Sequence, residues 1–139
     1  MRISDVLLPV LEERFPRQGL QRGEPPDPVA TFPAAHAAVG DVAILDDGSE
    51  ATVLIGRLTH SHFSPHEASL TQEERAKEVT SAVVDFLAAL FDDRVLIWVA
   101  TDGGSAGWSS FAPGAPLPLR PNARNFVWSG PIERLGSTR

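Results

Sequence analysis

The stretch TQEERAKEVTSAVVDFLAALFDDRVLIWVA, residues 71–100, decides the fold. Thr71 followed three residues later by Glu74 makes a capping box, in which hydroxyl and carboxylate each satisfy a backbone N–H that a helix start leaves unpaired. From there Val79, Val83, Phe86, Leu87, Leu90 and Phe91 recur at helical spacing, with Lys77, Glu78, Ser81 and Asp85 opposite them. The spacing predicts an amphipathic helix over 71–91, about 30 Å long at 1.5 Å per residue. Val95 to Ala100 then run apolar without alternation. A strand with no polar face is buried on both sides, which places this one at or near the centre of a sheet that the helix covers.

Upstream, Val42 to Leu45 and the β-branched, aliphatic run Ala51 to Thr59 flank Asp47-Gly48, a type I′ hairpin pattern. Further back, Ser4 stands where a helix cap would, before an apolar face of Leu7, Leu11 and Phe15, and Ile3 with Leu8 has the spacing of a hydrophobic staple. Pro9 shortens or delays this helix, because it removes one backbone donor. Residues 16–33 carry Gly19, Gly23, Pro25, Pro26 and Pro28 and read as an irregular surface arm able to fold back as an extended edge. Downstream, Thr101 to Gly107 is turn-rich, while Trp108 to Phe111 and Asn125 to Trp128 supply two more strands. Between them Pro113, Pro116, Pro118 and Pro121 prevent regular structure. The sum is an α+β fold: a mostly antiparallel sheet of four to five strands, the long helix on one face and a short N-terminal helix. We expect a single domain over 1–139, divided into a helix and proline-rich arm (1–33), an α+β core (41–128) and a C-terminal tail (129–139).

The whole chain has 139 residues, 42% hydrophobic and 22% charged, enough for one hydrophobic core. It has no cysteine, which excludes disulfides, thiolate metal sites and cysteine nucleophiles and fits a reducing compartment. Eighteen acidic against twelve basic residues give a net charge of −6, and the basic residues are scattered arginines with Lys77 the one lysine. Phosphate neutralisation has no source here, so no nucleic-acid partner is expected. Asp5, Glu12 and Glu13 interrupt the N-terminal leucines as no secretory signal would tolerate, and no apolar run nears the roughly 20 residues that span a bilayer. The expectation is a cytoplasmic location without a membrane role.

Four features bear on chemistry. The first is His60-Ser61-His62-Phe63-Ser64-Pro65-His66-Glu67. Side chains two apart on a strand share a face, so His60 and His62 point together, and His66 swinging back from the next loop would complete a three-nitrogen site for zinc or another divalent transition metal. Glu67 would then serve as base or fourth ligand. The run resembles the His-x-His-x-Asp-His signature of metallo-β-lactamase-like hydrolases over eight residues. It departs from it with Ser64 at the aspartate position, the third histidine one residue late and no histidine downstream. The plain alternative packs these imidazoles at the sheet's rim, bonded to carbonyls or to Glu67.

The second feature, Gly103-Gly104-Ser105-Ala106-Gly107, matches the Gly-x-Ser-x-Gly elbow of serine hydrolases, but residues 108–113 lack a helical pattern and no histidine comes later, so a flexible turn is the better reading. Neither Gly-Lys-Ser/Thr nor Gly-x-Gly-x-x-Gly occurs, and no nucleotide is expected. Asp46, Asp47 and Glu50, like Asp92, Asp93 and Asp102, lack calcium-loop spacing and read as solvated punctuation at strand ends. The third is the proline segment 113–121 with its two Pro-x-x-Pro spacings, read as a stiff connector rather than a peptide ligand. The fourth is the set Trp98, Trp108, Trp128, Phe111 and Phe126, which is core material on a covered face and a binding anchor on an open one.

Two functions compete. One helix covers one face of a sheet, and the reverse is then free for a protein partner or for self-association as a homodimer. On this reading the chain is a non-enzymatic interaction domain. In composition alone it is similar to small acidic immunity-type or adaptor proteins, bacterial in style, and such a charge would steer it toward a basic partner. The other is a metal-dependent hydrolase working through water activated at His60, His62 and His66.

Overall fold

The computed structural model describes residues 2–67 and 69–132. Helix α1 (Ile3–Arg14) begins before the expected cap, with Arg2 at the N-cap and the Asp5 carboxylate accepting the Arg2 N–H at 2.7 Å. Ser4 is therefore inside the helix and buried, and its N–H donates to Asp46 Oδ2 at 2.8 Å. The helix runs through Pro9, whose ring sits on the exposed side, while Ile3, Leu7, Leu8 and Leu11 are buried.

Five strands come next as an antiparallel meander in chain order: β1 (Gln21–Arg22), β2 (Ala30–Phe32), β3 (Val42–Asp46), β4 (Ala51–Ile55) and β5 (Thr59–Phe63). The proline-rich arm does fold back as the edge of this sheet, with Phe32 opposite Val42. Two local expectations change. The β3–β4 loop has four residues between the paired Asp46 and Ala51, and only Gly48 has a positive φ, whereas a type I′ turn needs two such residues. The strand expected over 51–59 breaks at Gly56, where φ is +51° and a Cβ would collide with the Val39 carbonyl oxygen. His60 and His62 consequently lie on a further strand, β5, that turns back against β4.

Helix α2 (Gln72–Phe91) forms as its sequence dictates. Thr71 Oγ1 accepts the Glu74 N–H at 3.1 Å, and the Glu74 carboxylate accepts the Thr71 N–H at 2.8 Å. The second sheet holds β6 (Val95–Ala100), β7 (Ala106–Ser110), β8 (Ala123–Val127) and β9 (Gly130–Pro131) in the order β7-β6-β8-β9. β6 lies inside it between two antiparallel neighbours, and Val95, Leu96 and Ile97 are completely buried. The β-structure thus divides into sheets of five and four strands instead of one of four to five, and the α+β class holds. Part of the expected tail is structured, since Gly130 and Pro131 pair with β8; the rest of it, residues 133–139, lies outside the described residues.

Alternation along the strands defines an inner and an outer face. Phe32, Val42, Ile44, Val53 and Ile55 of the first sheet, and Val95, Ile97 and Phe126 of the second, join the buried faces of both helices in one contiguous core. Helix α2 is gripped between the sheets by aromatic edges. Phe86 meets Phe63 of β5 at 5.5 Å and Trp108 of β7 at 4.6 Å, and Phe91 meets Phe32 of β2 at 5.1 Å and Trp128 at 5.2 Å. Each tilted or edge-on pair contributes about 0.5–1.5 kcal/mol beyond the area it buries. Phe15, at the end of α1, closes the second cluster against Phe32 and Phe91. Among the described residues no helix is long and apolar enough to cross a membrane.

Candidate functional site: the outer face of the five-stranded sheet

The two outer faces differ in what covers them. β7 and β8 flank β6 on opposite sides and both run antiparallel to it, so residues 111–122 must travel along β6 and across the sheet to connect them. This proline-rich strap passes over the outer face. The Arg120 guanidinium lies 4.2 Å from the centre of the Trp98 ring, and the buried Asn125 amide holds both the N–H and the carbonyl of Arg120, at 3.0 and 3.1 Å. The Trp98 ring in turn crosses Gly107, where a Cβ would stand 2.7 Å from it. The connector reading of 113–121 therefore describes what the segment does, and Trp98 belongs to a covered face. Trp108 and Trp128 point inward against α2.

The outer face of the first sheet carries Thr31, Ala43, Leu45, Thr52, Leu54, His60 and His62, placed there by the pairs Thr31↔Ala43, Ala43↔Leu54, Thr52↔His62 and Leu54↔His60. Both helices are on the other side. Leu45 and Leu54 are only half-buried and stand outside the core. Beside them is a groove of about 720 Å³ between Thr31, Ala43 and Leu54 on its floor and Val39, Arg57 and Leu58 on its walls. The walls are turn residues held close by glycine: Gly56 donates its N–H to the Asp41 carbonyl at 2.8 Å, and Gly40 packs directly on Gly56.

The histidine run meets this face at one end. His60 and His62 are neighbours, their ring centres 5.1 Å apart and nearly perpendicular. His62 Nδ1 lies 2.8 Å from Glu50 Oε2 and 3.0 Å from Thr52 Oγ1. His66 does not join them: its N–H donates to Glu78 Oε1 at 2.7 Å, and its ring, almost fully exposed, has Nε2 3.9 Å from the same carboxylate on α2. Among the described residues no group of three or more histidine and carboxylate side chains is placed to hold a metal ion. Glu67 is exposed in the following loop. The partners Glu50 and Glu78 were invisible to a linear reading, because it takes the register Thr52↔His62 to bring Glu50 alongside β5.

The remaining motifs resolve as structure. Gly103 to Ser105 form the β6–β7 turn, with Gly103 at φ +74° and the Ser105 carbonyl accepting the Ala100 N–H; the turn leads into a strand, not a helix. Asp93 is more than punctuation: at φ 58° it ends α2, and its carboxylate accepts both the N–H and the hydroxyl of Ser129, at 3.0 and 2.6 Å. Comparison with protein-family models, with curated proteins and with solved structures found no match to this chain.

Proposed function

We propose that this chain is a non-enzymatic interaction protein that docks a protein partner of basic surface on the outer face of its five-stranded sheet. The observation carrying this reading is the asymmetry of cover. Both helices sit on the inner faces, the strap occupies the outer face of the second sheet, and the outer face of the first keeps half-exposed leucines around an apolar groove. An apolar centre rimmed by polar groups is the usual anatomy of a docking patch. Net charge selects the occupant: two copies at −6 each repel, whereas a cationic partner is drawn in and oriented.

The test pairs sedimentation with capture. The wild type is expected to sediment as a monomer and to retain a protein of high isoelectric point from its native extract, in the presence of chelator and less so as salt is raised. Leu54→Arg, on the groove floor, abolishes that retention, and Leu117→Arg, on the exposed strap, preserves it. A stable dimer that Leu54→Arg dissociates would replace the partner by a second copy. Capture unaffected by Leu54→Arg would remove this face from consideration. The competing hydrolase reading requires His66 to leave Glu78 for His60 and His62, and predicts chelator-sensitive hydrolysis lost in His66→Ala.

A further inference from the structure

The pair His60 and His62 has a geometry the docking reading does not use. Imidazoles bound through nitrogen at 2.0–2.1 Å hold their ring centres about 3.2 Å from a zinc-like ion, so two of them at a tetrahedral angle have centres about 5.2 Å apart. The observed separation is 5.1 Å, between rings that share one face of β5. The second observation concerns the nitrogen facing away. An ionised carboxylate only accepts hydrogen bonds, so the 2.8 Å contact with Glu50 puts the proton of the neutral His62 ring on Nδ1 and leaves the lone pair on Nε2. Thr52 Oγ1 lies 3.0 Å from the same Nδ1. A carboxylate holding the far nitrogen of a ligating imidazole is how metal sites fix ring orientation and raise ligand basicity.

We propose that His60 and His62 form a two-imidazole chelate for a divalent first-row transition ion of the nickel, copper or zinc type, with Glu50 and Thr52 as positioning residues and water completing the coordination. Two nitrogen ligands without a protein oxygen suit these ions and disfavour calcium and magnesium. His66 stays with Glu78 and takes no part, which distinguishes this site from the three-histidine arrangement expected from the sequence. The chelate does not depend on the docking surface, since an ion can bind whether or not a partner does.

The experiment titrates untagged, chelator-stripped protein with nickel, copper and zinc chlorides by calorimetry, with folding of each variant checked by circular dichroism. One equivalent binds, copper more tightly than nickel, in keeping with the general order of divalent affinities. His60→Ala and His62→Ala each abolish saturable binding, and His36→Ala and His66→Ala leave it unchanged. Glu50→Ala weakens it by about 10–100-fold, the usual loss when such an outer partner is removed, and Glu50→Gln, which keeps an acceptor oxygen, restores part of it. Calcium and magnesium give no heat of binding. Absence of saturable binding by the wild type at about 1 mM metal, retention of binding by folded His62→Ala, or equal loss in His66→Ala would each overturn the site. None of these results bears on retention of a partner by Leu54, so the two readings fail separately.

Discussion

A methyl group added at Gly56 has nowhere to go. The residue sits at φ +51°, and its Cβ position is already occupied by the Val39 carbonyl oxygen, with Gly40 Cα behind it at 3.1 Å. Gly48, in the neighbouring hairpin, also has positive φ but nothing within 4 Å of its Cβ position. Comparing the two separates backbone strain from collision. Gly48→Ala should cost about 1 kcal/mol from strain alone, and Gly56→Ala about 2–3 kcal/mol or more, because the turn must also open. Denaturant melts of both variants check this, and equal costs would mean that the close approach of the two turns contributes nothing. The same residue explains why the strand expected over 51–59 stops at Ile55. A glycine inside an aliphatic run is compatible with a continuing strand, so only the contact with Val39 and Gly40, remote in sequence, reveals that the chain reverses there. His62 is similar: its place on an outward face could be read from alternation, whereas its bond to Glu50 required the register of a strand pair.

Among the elements, α2 and β6 were the most legible, since their signals are local: a capping box, one apolar stripe and an unbroken apolar run. α1 was legible in its buried face, but its start was displaced because Asp46, 42 residues away, takes the Ser4 N–H that a cap would otherwise leave free. β1 and β2 were obscured by prolines and by their shortness, and stand because β3 offers β2 a ladder and β2 in turn offers one to β1. The start of α2 also carries a pH dependence. The Glu74 carboxylate titrates below its ordinary value, first because it accepts the Thr71 backbone N–H and second through the Thr71 side chain. A depressed carboxylate stabilises the fold above its unfolded-state value and loses that contribution as pH falls through the lower, folded-state value. Glu74→Gln should therefore be less stable than wild type at pH 7, and the gap should narrow as pH drops below about 4, where the protonated acid resembles the amide. Melting both proteins across that range is the measurement; a gap that stays constant or widens would refute the assignment. Glu12, held low by the Arg22 guanidinium that bonds to it, has the same sign and ties α1 to β1.

For the molecule as a whole, the division into two sheets raises the question of whether they melt apart. They share α2, which places Phe86 and Phe91 between aromatic side chains from both, and a single contiguous core. One cooperative transition is expected. All three tryptophans lie in or beside the second sheet, so their fluorescence reports on that sheet, while far-ultraviolet circular dichroism reports on the entire backbone. The two denaturation curves should superimpose, and separate midpoints would show that α2 fails to couple the layers. That there would be two sheets was not readable from the chain, because α2 separates β5 from β6 and nothing local decides whether β6 joins the meander or pairs only with later strands. The strap has a practical corollary. It contributes no strand of its own, and its tip at Leu117 and Leu119 is exposed, so severing the polypeptide there interrupts no ladder. A polypeptide severed between Leu117 and Leu119 is therefore expected to stay associated, the shorter piece held beside β6 by the β8 ladder, and co-elution of the two pieces in gel filtration checks this.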